Sequence, residues 1–522
     1  DALTSADFVT AVGYDAGGAI TSGGYNTLIG HTAGHDMTSG NVNTAVGHHA
    51  LGTNTVGDRN VAVGSGALST FNPSSNTDDN NTAVGYAALN ALTTGVHNIA
   101  IGGTAMGGDP GPTTENHNLA MGVNSMGGNI AGGEYNVMIG NYTGQSLTSA
   151  DNNVAVGYLA GANITSGGTN TFVGFEAGKE TQTGTGNTFI GEQSGRANTG
   201  SNNTGVGRDT LYTNTAGIKN VAIGDGALTT LNDTGGTDEA DKNVAVGYQA
   251  GANVTTGFKN TYIGHQAGLR ASATNANCII GHNSQGNQTG NGANNLVGSS
   301  IGVSMTSAFY NQALGSSCWA NLTTGSNNIA IGHDAGQVLT TGEHNIYMGY
   351  KTTASSNDET NTILIGHGDG INNFSSGGSD NIRIGKRTAY IHTDNDSASF
   401  STGSDERWKK NIASNDVGLD FINELRTVTF NWKKHSELAN TLSEYDASDA
   451  DTPDDTKLKY GLIAQEVKAA MDTHSVNVKF EGWREDSSHP DDKQMVSNDA
   501  FVIPLIKAVQ ELSAKVKALE DA

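Results

Sequence analysis

A glycine that returns at a near-constant step of 17 residues governs most of this chain. It stands first at Gly13 and last at Gly385, in 22 copies, and 15 of the 21 intervals between copies equal 17. A step held this long describes a quasi-one-dimensional stack, in which each unit buries its apolar side only against its neighbours. The unit reads N-x-x-[VI]-G-x-x-A-G followed by a Thr/Gly/Ser-rich stretch. Clear copies begin at Asn153 (NVAVGYLAG), Asn170 (NTFVGFEAG) and Asn187 (NTFIGEQSG). With 72 glycines in 522 residues and 35% hydrophobic residues, the chain cannot fill one large core. Its regular spacing nevertheless argues for order rather than disorder.

Each column of the repeat has a physical task. The residue before the marker glycine is Val, Ile, Leu or Met in every copy, from Val12 to Ile384. This column is expected to point into a continuous core, together with the Val, Thr or Ile two residues earlier. The residue between them is Ala, Phe, Tyr or Leu in most copies, so the opposite face is also too apolar for water. A strand apolar on both faces implies a cover, most simply other copies of the same chain. Asparagine stands four residues before the glycine in 20 of 22 copies. Stacked at a turn, these side chains are expected to form an amide ladder. Glycine supplies the corners, and the density of Gly, Thr and Asn disfavours helix. The expected fold is mainly β: a β-solenoid or β-roll fibre over residues 1–400, one coil per repeat, on the order of 100 Å long at about 4.8 Å per coil.

Six intervals break the step. The longer insertions, Asn72–Asn80, Gly107–Glu115, Asn232–Asp241 and Asn372–Ser379, must leave the stack as outer loops. Two are acidic, around Asp78-Asp79 and Asp238-Glu239, but neither has calcium-loop spacing. They read as solvated loops, and no metal or cofactor is expected. The residue after the marker glycine is His31, His48, His265, His282 or His333 in some copies and Tyr158, Phe175, Tyr248 or Tyr350 in others. Glu192, Arg208 and Asp225 share the column, so it is expected at a corner facing water. Such a stripe of rings suits a sugar ligand by stacking, or simply covers the solenoid edge. Carboxylates are too scattered to nominate a glycosidase pair, although a depolymerase could assemble one between chains.

Net charge is −24, which opposes nucleic acid and anionic membrane as partners. No apolar run approaches the ~20 residues of a membrane helix. Cys278 and Cys318 occupy different repeats and different columns, so they are expected as small buried hydrophobes rather than a disulfide. The chain opens on Asp1 without a methionine, which fits a fragment or a processed product.

The texture changes at residues 401–412. Of 27 Lys+Arg, 12 precede Ser404 and 15 fall in the remaining 119 residues. Helical spacing at Val417–Leu425, alternation at Thr427–Trp432, an acidic loop at Ser443–Thr456, a strand at Tyr460–Ile463 and a helix at Ala464–Met471 describe a small α+β domain. From about Asp499 a last helix carries Val502, Leu505, Val509, Leu512, Val516 and Leu519 at heptad steps, a coiled-coil seam. By side-chain rules alone, Val alternating with Leu leans toward two strands.

Two resemblances follow from these motifs. The repeats resemble the heads of trimeric autotransporter adhesins, with their N-x-V-A-I-G signature, and repeats of phage tail fibres. The segments SDERWKKNI (Ser404–Ile412), YGLIAQEV (Tyr460–Val467) and IPLIKAVQEL (Ile503–Leu512) resemble the signatures of the endosialidase-type intramolecular chaperone, a self-cleaving serine peptidase domain. The resemblance implies a homotrimer whose terminal domain (404–522) templates fibre assembly and then cuts before the motif serine, between Gly403 and Ser404. It implies a Ser404–Lys409 dyad, since a serine hydroxyl needs a base and a desolvated lysine can serve. By spacing alone, Ser404 or Asp405 equally well caps a helix and Lys409 is a solvated charge. The implied setting is a virion fibre that meets a host-cell receptor, such as a glycan. A bacterial surface adhesin, which would end in a membrane anchor, and a depolymerase tailspike are the alternatives.

Overall fold

The computed structural model describes residues 5–522, apart from 76–77, 109–113, 129, 233–241, 286–287, 290–291, 370–371, 394–400, 403–411, 414, 432, 434, 440–457, 477–479, 481 and 487–492. The chain divides into two compact units, Asp1–Gly403 and Ser404–Ala522.

The first unit is a β-solenoid. Every marker glycine stands just after a short strand or near its end, from Thr10–Val12 to Ile382–Lys386, and each strand pairs parallel with that of the next coil in strict register. Thus Thr171, Phe172 and Val173 lie against Thr188, Phe189 and Ile190. The rod closes at its C-terminal end with an antiparallel strand, Ala389–Thr393, on the last coil.

The amide ladder runs through the unit as expected. Asn170 donates from its backbone N–H and from Nδ2 to Asn153 Oδ1, both at 3.0 Å, and Nδ2 also donates to the Gly184 carbonyl. Asn187 repeats the arrangement on Asn170. These asparagines are fully buried, so each rung satisfies groups that would otherwise be stranded in a dry interior.

Corners come from left-handed backbone. The residue before each ladder asparagine has positive φ, for example Val42 (φ 59°) and Asn152 (φ 59°). So does the second residue after the marker glycine from Asp15 to Lys351, as at Thr32 (φ 54°). The marker glycines themselves sit near φ +137°, and a Cβ on Gly174 would come 2.4 Å from the Gly191 carbonyl oxygen. Glycine is therefore required here by stacking as well as by dihedral angle.

The strand faces are the reverse of the expectation. It is the middle residue of each strand that is buried, as with Leu28, Ala62, Phe172 and Tyr262, all at 0% exposure. The residue before the marker glycine points outward, and Ile29, Ile190 and Ile263 are about 38–40% exposed even with neighbours stacked above and below. The physical reason is the narrowness of the coil. Only one residue per three-residue strand faces the interior, where it meets residues such as Ala33 and Met37 from the opposite wall. Small residues suffice inside, and the β-branched ones form an outer ribbon.

Residues Asp78 and Asp79, expected in a solvated loop, are partly built into the rod. Asp78 pairs with Arg59, while Asp79 is buried and accepts the Asp58 backbone N–H at 2.9 Å. The acidic run at Asp238-Glu239 lies outside the described residues. Cys318 is buried, whereas Cys278 is half-buried on the ribbon side of its strand.

The second unit is α+β. Helix α1 (Leu419–Glu424), helix α2 (Ala464–Thr473) and helix α3 (Val502–Glu520) surround a core of Phe421, Val467, Ala470, Met471 and Phe501. Strand Val428–Phe430 pairs antiparallel with Lys459–Gly461, and Trp483–Asp486 pairs with Lys493–Val496.

Candidate functional site

The seam carries the chemistry expected of this chain, and its two named side chains, Ser404 and Lys409, lie outside the described residues, as does Gly403. The boundary between the two compact units falls at the Gly403–Ser404 bond.

Downstream, the second motif crosses from strand to helix. Tyr460 is exposed on its strand and Val467 is buried on α2. Between strand and helix opens a cleft of about 1430 Å³, bordered by Val428, Phe430, Tyr460, Trp483, Met495 and Val496 among others. Arg426 clamps Glu466 through its guanidinium, with Nε to Oε2 at 3.1 Å, and this raises Arg426 and lowers Glu466 from their ordinary pKa values. The third motif is the start of α3, where Pro504 and Ala508 face the core. Glu511 Oε2 accepts the Leu419 backbone N–H at 2.8 Å, which ties α3 to the first turn of α1 and holds the Glu511 carboxyl below its usual range. The heptad residues Val502, Leu505, Val509, Leu512, Val516 and Leu519 are all exposed.

On the rod, the column after the marker glycine stands at an exposed corner. His31 stacks between Tyr14 and His48 at centroid distances of 5.1 and 5.3 Å. Tyr248, His265 and His282 form a second run at 5.2 and 5.0 Å, and Tyr158 stacks on Phe175 at 5.7 Å. His333 is tilted against Tyr350. All nine nominated side chains are exposed, each within stacking range of a neighbour. A second ring column, not singled out from sequence, lies just before the ladder asparagines: His97, His117 and Tyr135 stack at 4.9 Å spacings. Its signal was the identity of the residue before each asparagine, which reads as noise until the left-handed corner there is known. Among the described residues, no group of three or more His, Cys, Asp or Glu side chains is placed to hold a metal ion. Among the described residues no helix is long and apolar enough to cross a membrane.

Residues 404–475 match the peptidase S74 family, described as the chaperone of endosialidase. The match starts at Ser404 and takes in the first two motifs; the third, on α3, lies beyond it. Comparison with curated proteins and with solved structures returned no match.

Proposed function

We propose that this chain is a phage tail-fibre or tailspike rod that works as a homotrimer at the virion surface, with a terminal domain that assembles the rod and then cuts itself free. The observation that carries this reading is the position of the chaperone-of-endosialidase match. It begins at Ser404, where the solenoid unit has just ended. The exposed heptad stripe of α3 supports association of chains, because such a stripe is stable in water only against other helices.

In the cutting step, neutral Lys409 takes the proton of the Ser404 hydroxyl, and Oγ attacks the Gly403 carbonyl carbon. The Gly403–Ser404 C–N bond breaks, and the proton passes to the Ser404 amine. Water then hydrolyses the resulting ester, which releases the rod with a Gly403 carboxylate and regenerates the serine hydroxyl. Glycine at 403 keeps the attacked carbonyl free of side-chain bulk.

Clamping has a physical purpose in a rod built from near-identical coils. A slip by one coil changes little locally, so a trimer nucleated at one end winds from a common start. Release of the clamp then leaves a rod whose unwinding has a high barrier. The exposed ring column is the surface we assign to a host receptor, with glycan stacking as its chemistry.

The test is a denaturing gel and intact mass of the full chain beside Ser404→Ala and Lys409→Ala. A fragment beginning at Ser404 is expected from the native sequence and not from either variant. Equal cutting in the variants would remove the dyad.

A further inference from the structure

The outer ribbon of the rod is a run of aliphatic and threonine side chains interrupted by one pair of amides. Its two outward rows run through 22 rungs, at about 4.8 Å per rung. With a width of about 10 Å, this is on the order of 1,000 Å² per protomer, whereas a stable interface takes about 800 Å² per partner. Soluble monomers rarely leave a patch of this size open.

Along these rows the residues are Val, Ile, Leu, Met or Thr, with a cysteine at Cys278 and amides at the next two rungs, Asn295 and Gln312. Both amides point outward, Asn295 exposed and Gln312 half-buried. Asn295 Nδ2 donates to Gln312 Oε1 at 2.8 Å. That bond uses one donor and one acceptor group of the pair and leaves Asn295 Oδ1 and Gln312 Nε2 for a partner outside the protomer. The rungs on either side of this triplet present Thr261 with Ile263 and Ile329 with Ile331.

We infer that the ribbon is the face by which two further copies of this chain pack, and that Asn295 and Gln312 fix their register. The inference rests on the trimer proposed above. With three copies level, the amides of all three lie on the same two rungs and close one polar layer. After a slip of one rung one amide of each copy still faces an amide, but the other faces Ile329 or the Cys278 thiol and is buried without a partner. One amide in an otherwise apolar seam sets register in coiled coils by the same logic.

Cys278 is a native reporter, since it stands in the same outward row and Cys318 is buried. A disulfide needs Cα atoms within about 7 Å, so a one-rung slip separates paired thiols. The experiment oxidises the full-length protein and its Asn295→Val/Gln312→Val and Asn295→Gln/Gln312→Asn variants, with molar mass by light scattering and circular dichroism as controls. The expected result is a trimer in which Cys278 links two chains. The link should fall about threefold in the Val variant, where three neighbouring registers become near-equal, and return in the polarity-preserving variant. Single-chain mass would overturn the trimer itself. Trimers without a Cys278 link in the native sequence would place the interface on another face and overturn this inference alone. An undiminished link in the Val variant would remove the register role.

Discussion

The ring of Phe189 lies directly over Gly195, and a Cβ on that glycine would come 2.4 Å from Phe189 Cδ2. The same relation holds between Phe172 and Gly178 and between Tyr262 and Gly268. In several coils where the buried strand residue is small, the partner six residues on is large, as with Ala62 and Leu68, or Gly205 and Leu211. Where both are small, as with Ala155 and Gly161, a ring of the next coil, here Phe172, fills the space. The interior thus keeps a fixed cross-section, filled by a bulky residue from either wall or from the adjoining coil.

The pairing predicts strong coupling. Ala62→Phe alone overpacks the coil and should cost about 1–3 kcal/mol. Leu68→Gly alone empties it and should cost at least about 3 kcal/mol. Combined, the two changes recreate the arrangement of Phe189 and Gly195. Chemical denaturation of the four proteins should give a coupling energy of about 2 kcal/mol in the stabilising direction. Additive losses would show that the two walls do not share one volume.

The amide ladder predicts a graded response at Asn170. Its side chain takes part in four hydrogen bonds: two donated by Nδ2 and two received by Oδ1 from Asn187. Asn170→Ala strands those partners in a dry interior and should cost about 3 kcal/mol. Asn170→Thr should cost less. The rod itself uses Thr362 at this rung, where the backbone N–H still donates to Asn345 Oδ1 and Oγ1 donates to the Gly378 carbonyl. Hydrogen exchange of the flanking strands should open in the same order, with alanine worse than threonine.

Much of this could be read from residues alone, and the failures have physical causes. The 17-residue step and the asparagine column specify stacking and ladder, because both are chemistry that repeats. Strand orientation is not legible from hydropathy, which ranks Ile29 above Ala62 for burial, whereas the narrow coil admits only the middle residue of each strand and turns the flanking ones outward. The volume exchange between positions such as Ala62 and Leu68 was present in the sequence as an anticorrelation between two columns. It carries no meaning until the fold brings those columns together. At the seam, Ser404 and Lys409 are legible as a motif, whereas Asn295 and Gln312 gain meaning only once the strand face they stand on is known.

Glu176 makes the rod sensitive to acid. Burial pushes its carboxyl up, but hydrogen bonds from Lys179, Arg196 and Gln193 outweigh burial and bring its pKa to about 2. A carboxylate depressed in the folded state contributes stability above its unfolded pKa of about 4.5 and loses it as pH falls toward 2. Glu176→Gln should therefore remove about 2 kcal/mol at neutral pH and nothing near pH 2. Urea titrations from pH 7 to pH 2 should show the two proteins converging, and a constant gap would assign the loss to packing instead.

Val42 holds a left-handed conformation (φ 59°) that a β-branched residue adopts at a cost, and its side chain is half exposed. The same corner of other coils carries Asn152, Asn202 and Asn327 at φ 59–60°, or Gly186 at φ 68°. Asparagine tolerates this region because its short polar side chain bonds locally. The backbone N–H of Val42 donates to the Gly24 carbonyl at 3.0 Å, and a substitution that keeps the backbone keeps this bond. Val42→Asn should accordingly raise stability by about 0.5–1 kcal/mol, read as a higher denaturation midpoint at unchanged slope. Val42→Ile, which keeps the branch, should leave the midpoint where it is. A gain from isoleucine equal to that from asparagine would trace the effect to the apolar neighbourhood of the corner rather than to its dihedral angle.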